Sequence, residues 1–112
     1  MSQRGPFEEV WVNLPDGQAM CALINGEVGW LMYLREEGDA GFSSRNPRFS
    51  GADSKLEFQL GNGQRDFYPS SWTLPISTVR AALDHFRSTG RPPTFVLWHN
   101  DSGDGKAIEG AA

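Results

Sequence analysis

A run of carboxylates and one strand-end histidine are the side chains of this sequence whose types could carry out catalysis. Glu36, Glu37 and Asp39 fall within four consecutive positions, and acid–base hydrolysis needs paired carboxylates of this kind. His99 ends an apolar run and would complete a catalytic set if the fold brought it close to them. Charged runs like this are more often solvated turns, so we expect a protein that is not an enzyme. A small hydrolase or nucleotide-modifying enzyme using Glu36, Asp39 and His99 stays open as the alternative.

Metal and thiol chemistry need ligand sets that this sequence lacks. It has one cysteine and two histidines, and neither His85 nor His99 has a second ligand at a recognised metal-site spacing. Cys21 lies within the apolar run 19–24, which is typical of a small buried hydrophobic residue and not of a reactive thiolate. We therefore expect no metal and no cofactor.

The segment 36–54 has the composition of a binding loop. It shows no regular periodicity, and a loop this long in a compact domain is usually functional or disordered. It contains Phe42, Arg45 and Phe49, and aromatic and arginine side chains are preferred anchors of protein interfaces. We predict an exposed binding surface here. The alternative, that both phenylalanines fill the core and Arg45 pairs with a nearby carboxylate, stays open.

Net charge and apolar content restrict the classes of partner. The formal net charge is −4, whereas a nucleic-acid-binding protein usually carries a basic footprint. We therefore expect no direct contact with nucleic acid and favour a basic protein partner. The N-terminus carries no apolar signal segment, and no stretch is long enough to span a bilayer. Together with the lone thiol, this predicts a cytoplasmic protein that does not bind membranes.

Alternating and apolar runs predict the strands that must position these side chains. The first three form a meander, because Pro15-Asp16-Gly17 and Asn25-Gly26 are turn signals. The third is apolar through its centre and is expected to be covered on both faces. A second hairpin turns at Gly61-Asn62-Gly63. The predicted strands are 8–14, 18–24, 29–35, 55–60, 64–68 and 94–99.

One helix, about 75–89, is predicted between Pro75 and Gly90, residues that fit a helix start and end. Four apolar residues recur at i, i+3, i+4 and i+7, the spacing of one buried helix face. They are Val79, Ala82, Leu83 and Phe86. The sequence therefore predicts the α+β class, with an antiparallel β-sheet of about six strands and this one main helix packed on one face.

A chain of 112 residues has the size of one domain with its own core. We expect a flexible N-terminus at 1–7 and a single domain at 8–101. The remaining residues, 102–112, are rich in glycine, alanine and acidic side chains and are expected to form a flexible C-terminal tail.

Three blocks of the sequence carry a family resemblance. The first joins the third strand to the loop after it, the second lies in the second hairpin, and the third surrounds the helix. They are Gly29-Trp30-Leu31-Met32-Tyr33-Leu34-Arg35 with Gly38-Asp39-Ala40-Gly41-Phe42-Ser43-Ser44-Arg45-Asn46-Pro47, then Asn62-Gly63-Gln64-Arg65-Asp66-Phe67-Tyr68-Pro69, then Leu74-Pro75, Gly90-Arg91-Pro92-Pro93 and Trp98-His99. Together they resemble the first immunity-protein family (Imm-one) of bacterial polymorphic toxin systems, over about residues 8–101.

The resemblance implies a non-enzymatic antitoxin made in the same cell as its toxin. Members of that family are typically paired with toxins of the nucleic-acid deaminase superfamily, which use a zinc-activated water to deaminate a base held in a pocket. An immunity protein of this kind would bind the toxin domain and block its active site or its nucleic-acid cleft.

Charge complementarity then indicates which side chains would meet the toxin. A nucleic-acid-processing enzyme needs a basic groove for phosphates, which acidic side chains can occupy, while buried anchors slow dissociation. We place the toxin-binding surface on the loop 36–49 and the second hairpin. The predicted residues are Glu36, Glu37, Asp39, Phe42, Arg45, Asp66, Tyr68 and Trp98. A generic protein-interaction module unrelated to toxins stays open as a further alternative.

Overall fold

The computed structural model describes residues 6–108. Over this range the chain forms eight strands, one short 3-10 turn at Ser70–Trp72 and one α-helix. The strands are β1 (Phe7–Asn13), β2 (Ala19–Asn25), β3 (Val28–Leu34), β4 (Phe42–Arg45), β5 (Lys55–Gln59), β6 (Arg65–Pro69), β7 (Leu74–Pro75) and β8 (Leu97–Asn100), and the helix is α1 (Ile76–Thr89). None of the helical structure in this range is long and apolar enough to cross a membrane.

The main sheet is antiparallel and has six strands. Its order is β1-β2-β3-β4-β8, and β7 shares the outer edge of β3 with β4. β4 pairs near the end of β3, at Met32 and Tyr33, whereas β7 pairs at its start, at Val28 and Gly29. The two short strands therefore divide one edge between them.

Helix α1 packs on one face of this sheet, as the helical spacing predicts. Its buried residues are Val79, Ala82, Leu83 and Phe86, and they meet Met20, Ala22 and Ile24 from β2 in one apolar cluster. The helix ends at Gly90, whose φ of 71° is left-handed and whose N–H donates to the Phe86 carbonyl, a glycine-terminated helix end. The α+β class, the antiparallel sheet and the single helix are confirmed.

The opposite face of the sheet is covered by the hairpin β5–β6, which forms a separate two-stranded sheet. Cys21 and Leu23, the alternate residues of β2, pack there with Trp30 and Phe58. The central strands are therefore buried on both sides, which explains their continuous apolar runs. Sequence patterns place this hairpin among the six strands of one sheet. In the structure β4 and β7 complete the six, and the hairpin is a third layer.

Strand β4 lies inside the segment predicted to be an irregular loop. Its central residues, Ser43 and Ser44, are polar and yet buried. The Ser44 hydroxyl accepts the Leu31 N–H at 3.0 Å and donates to the Trp72 carbonyl at 2.9 Å, so burial leaves it satisfied. Gly41 precedes the strand at φ +81°, and a Cβ there would lie 2.6 Å from the Tyr33 carbonyl oxygen.

The chain after β8 packs back against the domain. The Asn100 amide donates to Asp104 at 2.7 Å and to the Lys106 carbonyl at 2.8 Å, and Ile108 is buried in the helix-side core. Side-chain hydrogen bonds and an apolar anchor thus connect residues 102–108 to the domain. The flexibility expected of the tail 102–112 stays a prediction. Its last residues, 109–112, and residues 1–5 of the predicted flexible N-terminus lie outside the described range.

Candidate functional site

The turn after β3 is built around an ion pair between Arg35 and Asp39. The guanidinium donates to both carboxylate oxygens at 2.8 Å, and the Arg35 backbone N–H adds a third bond at 2.9 Å. Only 6% of the Asp39 side chain is exposed. The bonds from Arg35 hold the pKa of this carboxyl well below its usual range, although burial acts in the opposite direction. Asp39 is therefore a structural residue whose oxygens are already occupied.

Arg35 connects this turn to two further parts of the molecule. Its guanidinium donates to Asp104 at 2.8 Å and lies over the Phe42 ring, 5.0 Å from its centroid. The hydrogen bond to Asp39, followed by the smaller effect of the hydrogen bond to Asp104, raises the pKa of Arg35. One side chain thus fixes the end of β3, the start of β4 and the segment after β8.

Glu36 and Glu37 stand at the tip of this fixed turn, and both are exposed. Glu36 and Asp39 line a polar cleft of about 820 Å³ between the turn and the C-terminal end of α1. The cleft wall is ordered by a hydrogen-bond chain in which the Tyr33 hydroxyl donates to Gln18 at 2.6 Å. Gln18 in turn donates to Asp16 and to the Gly90 carbonyl. These two glutamates are the predicted acidic residues that point freely to solvent.

Phe42 does not lie on the surface. Its side chain is 1% exposed, within ring-contact distance of Tyr33 and beneath Arg35. The ring fills the core, as the alternative left open by the sequence has it for Phe42, and contact of this residue with a toxin stays a prediction.

Arg45, at the end of β4, stacks on an aromatic ring. Its guanidinium carbon lies 3.7 Å from the centroid of Trp72, and it donates to the Ser43 hydroxyl and the Ser44 carbonyl. The alternative interpretation of the loop expects Arg45 to pair with a nearby carboxylate. In the structure Arg45 stacks on Trp72 instead. It lies away from the Arg35 cleft and lines a different groove with Arg48.

The predicted residues of the second hairpin mainly attach that layer to the sheet. Tyr68 stacks on Trp30 with centroids 4.2 Å apart and planes 5° apart, and its hydroxyl donates to Asp66 at 3.1 Å. Burial, followed by the Asp66 charge, raises the pKa of Tyr68. Trp98 is also half-buried, and its indole N–H donates to the Pro93 carbonyl at 3.1 Å. Both side chains are therefore partly buried and hydrogen-bonded within the domain.

Apart from the buried Phe42, the predicted residues lie in three parts of the fold, and their contact with a toxin stays a prediction. Glu36, Glu37 and Asp39 belong to the turn after β3, Asp66 and Tyr68 to the hairpin layer on one face of the sheet, and Arg45 and Trp98 to its far edge.

The family described as "Immunity protein Imm1" matches residues 7–100, from the start of β1 to the end of β8. The chain belongs to the Imm1 family of immunity proteins. Comparison with curated proteins gave no match. The resemblance read from the three sequence blocks is confirmed.

The residues of the enzyme alternative do not converge in this Imm1 protein. Asp39 is held by Arg35 and its lowered pKa makes it a weak base. His99 does not line the cleft that contains Glu36; its Nδ1 lies 2.8 Å from Asp101. Within residues 6–108, no group of three or more His, Cys, Asp or Glu side chains could hold a metal. Burial raises the pKa of Cys21 to about 12, so its thiol stays protonated.

Four large apolar side chains of the Imm1 domain are exposed although sequence patterns did not select them as surface residues. They are Trp11, Phe67, Phe95 and Leu97. Phe67 occupies an outward position of β6, opposite Glu57, and Phe95 and Leu97 flank the buried Val96. For Trp11 and Phe67, an apolar residue at the outward position of an alternating strand is the signal that would have found them, whereas Phe95 lies in a turn before β8.

Proposed function

We propose that this Imm1 protein is an antitoxin of a polymorphic toxin system, which binds and neutralises a cognate toxin domain in the cytoplasm of the cell that makes both. The family match over residues 7–100 carries this proposal. An immunity protein acts by occupying a surface of its target, so it needs neither catalytic residues nor a cofactor. The turn at residues 35–39, which we call the acidic turn, is held rigidly by the Arg35–Asp39 ion pair. A three-layer domain with such a turn is suited to that task.

We further propose that the toxin is of the nucleic-acid deaminase type and that this protein blocks its active site or its nucleic-acid cleft. Such an enzyme requires a positively charged groove. The protein has a net charge of −4, and complementary charge speeds the encounter of two proteins. These observations support a basic toxin surface as the partner.

Within this proposal, Glu36 and Glu37 make the first acidic contacts. The bonds of Arg35 to Asp39 and Asp104 fix the turn that presents them, so little conformational entropy would be lost on binding. Asp39 and Phe42 contribute by holding the turn in place. Contact through the hairpin residues or Trp98 would require a partner that extends beyond this turn.

Reversing the two exposed charges tests the interface. We expect the double variant Glu36→Lys, Glu37→Lys to bind the toxin domain encoded beside this chain with a slower association rate and an affinity about tenfold or more lower. The loss should shrink as salt is added, because exposed charges are screened. Surface plasmon resonance at two ionic strengths measures both effects.

A matched control reverses two exposed charges elsewhere. Glu27 precedes β3, at the end opposite Glu36, and Asp84 lies on the outer side of α1; both are exposed. The double variant Glu27→Lys, Asp84→Lys changes the net charge equally and should retain most of the affinity. Equal losses in the two double variants, or none in the first, would show that the acidic turn is not the interface.

A further inference from the structure

A second concave surface lies near the N-terminal end of α1, whereas the cleft beside the acidic turn lies near its C-terminal end. Its volume is about 690 Å³, and it opens where the end of β4, strand β7, the first turn of α1 and residues 94–97 meet. The division of the β3 edge between β4 and β7 leaves this notch. We call it the β4–β7 groove.

Two large apolar side chains stand exposed in the groove. Phe95 is 53% exposed and Leu97 is 55% exposed, while Val96 between them is buried in the core. Phe95 lies in a turn and Val96 in a bend, just before β8 begins at Leu97. The burial of Val96 holds this part of the backbone and leaves its two neighbours at the surface. His85 meets the Phe95 ring edge-on, with centroids 6.0 Å apart. The exposed apolar surface is thus held in place, as the anchors of protein interfaces are.

The charges lining the groove are all positive. Arg45 and Arg48 line it, and no aspartate or glutamate does so among the described residues. Arg45 is held by its stack on Trp72, and the charge of Asp101 acts on it from outside the groove. Arg48 forms no ion pair with any residue of the described range. In a protein with a net charge of −4, this is a local reversal of sign.

We infer that the β4–β7 groove binds an acidic segment of a protein partner. Apolar side chains of the segment cover Phe95 and Leu97, and its carboxylates meet Arg45 and Arg48. An arginine fork suits carboxylates, with which it forms paired hydrogen bonds. The apolar walls and the net negative charge of the whole protein disfavour a nucleic acid as the occupant. The inference goes beyond the proposed function, because this surface and its charge preference differ from those of the acidic turn.

Selection from a displayed library of random short peptides, with the intact protein as bait, tests this inference. We expect the enriched peptides to have a net negative charge and to carry apolar residues. Labelled copies should lose about tenfold or more in affinity when Arg48→Glu or Leu97→Asp is introduced, measured by fluorescence anisotropy. Peptides in which lysine replaces each acidic residue should not bind.

The control variant is Arg87→Glu, which changes an exposed helix arginine paired with Asp84 and should leave peptide binding unchanged. Thermal unfolding of each variant shows that it is folded. The inference is overturned if enriched peptides show no acidic bias, or if Arg48→Glu and Leu97→Asp bind them as well as the unmodified protein does. Tighter binding of a labelled single-stranded oligonucleotide at the same residues would also overturn it.

Discussion

At the scale of single residues, the acidic side chains of one short segment have different roles. Sequence patterns group Glu36, Glu37 and Asp39 as one acidic run, which is correct for composition but not for role. Asp39 is enclosed by Arg35, while the two glutamates remain in solvent. The sequence could not separate them, because the partner of Asp39 is defined by how the turn closes and not by the spacing of charges.

The Arg35–Asp39 pair makes a prediction about stability. Replacing Asp39 by Asn should lower the free energy of unfolding by about 2 kcal/mol at neutral pH, because charge-assisted bonds to a buried group are lost. Asp84→Asn, at an exposed site, should change it by less than about 0.5 kcal/mol. Urea unfolding followed by tryptophan fluorescence measures both.

The same pair predicts a pH dependence with a definite sign. The pKa of Asp39 in the folded protein lies below its usual value of 3.8. The stabilisation by Asp39 is therefore complete above pH 3.8 and is lost as the pH falls through the folded-state pKa. The stability difference between the unmodified protein and Asp39→Asn should be constant from neutral pH down to about pH 5 and shrink below about pH 4. A difference that does not change with pH would show that the charge of Asp39 is not what stabilises the turn.

At the scale of elements, regular apolar patterns predict the strands and the helix correctly, but they do not predict a strand whose buried residues are polar. The meander, the second hairpin and the helix follow from alternation, turn residues and helical spacing. Strand β4 did not follow, because Ser43 and Ser44 are buried through hydrogen bonds that hydrophobic patterns cannot show. Phe42 is the first residue of β4. Because the sequence does not predict this strand, it does not indicate whether the Phe42 ring faces the core or the solvent.

The hairpin layer predicts a contrast between two phenylalanines on its opposite sides. Phe58 is fully buried against the sheet, whereas Phe67 points to solvent. Phe58→Ala should cost about 3–4 kcal/mol of stability through the cavity it leaves, and Phe67→Ala less than about 1 kcal/mol. Denaturant midpoints of the two variants provide the comparison, and equal costs would show that the hairpin does not pack as described.

At the scale of the whole molecule, the fold class could be predicted from the sequence but the layering could not. The helix and the hairpin cover the two faces of the sheet and bury β2 from Ala19 to Ile24. The apolar centre of the third strand predicts burial on both faces, but it does not indicate which elements cover it. The layered architecture also separates two surfaces of opposite local charge, the acidic turn and the β4–β7 groove. The acidic turn lies in one short run of the sequence and could be predicted from it, whereas the β4–β7 groove is built by residues distant in sequence and forms no motif.

We propose that this Imm1 protein neutralises a deaminase-type toxin by binding it. The most direct test is titration of the purified protein into a deamination assay of the toxin domain that we expect to be encoded beside it, with DNA, RNA and free nucleosides offered as substrates. We predict that activity on the toxin's own substrate falls linearly to background near one equivalent of protein. Deamination that persists unchanged at saturating protein would contradict the claim.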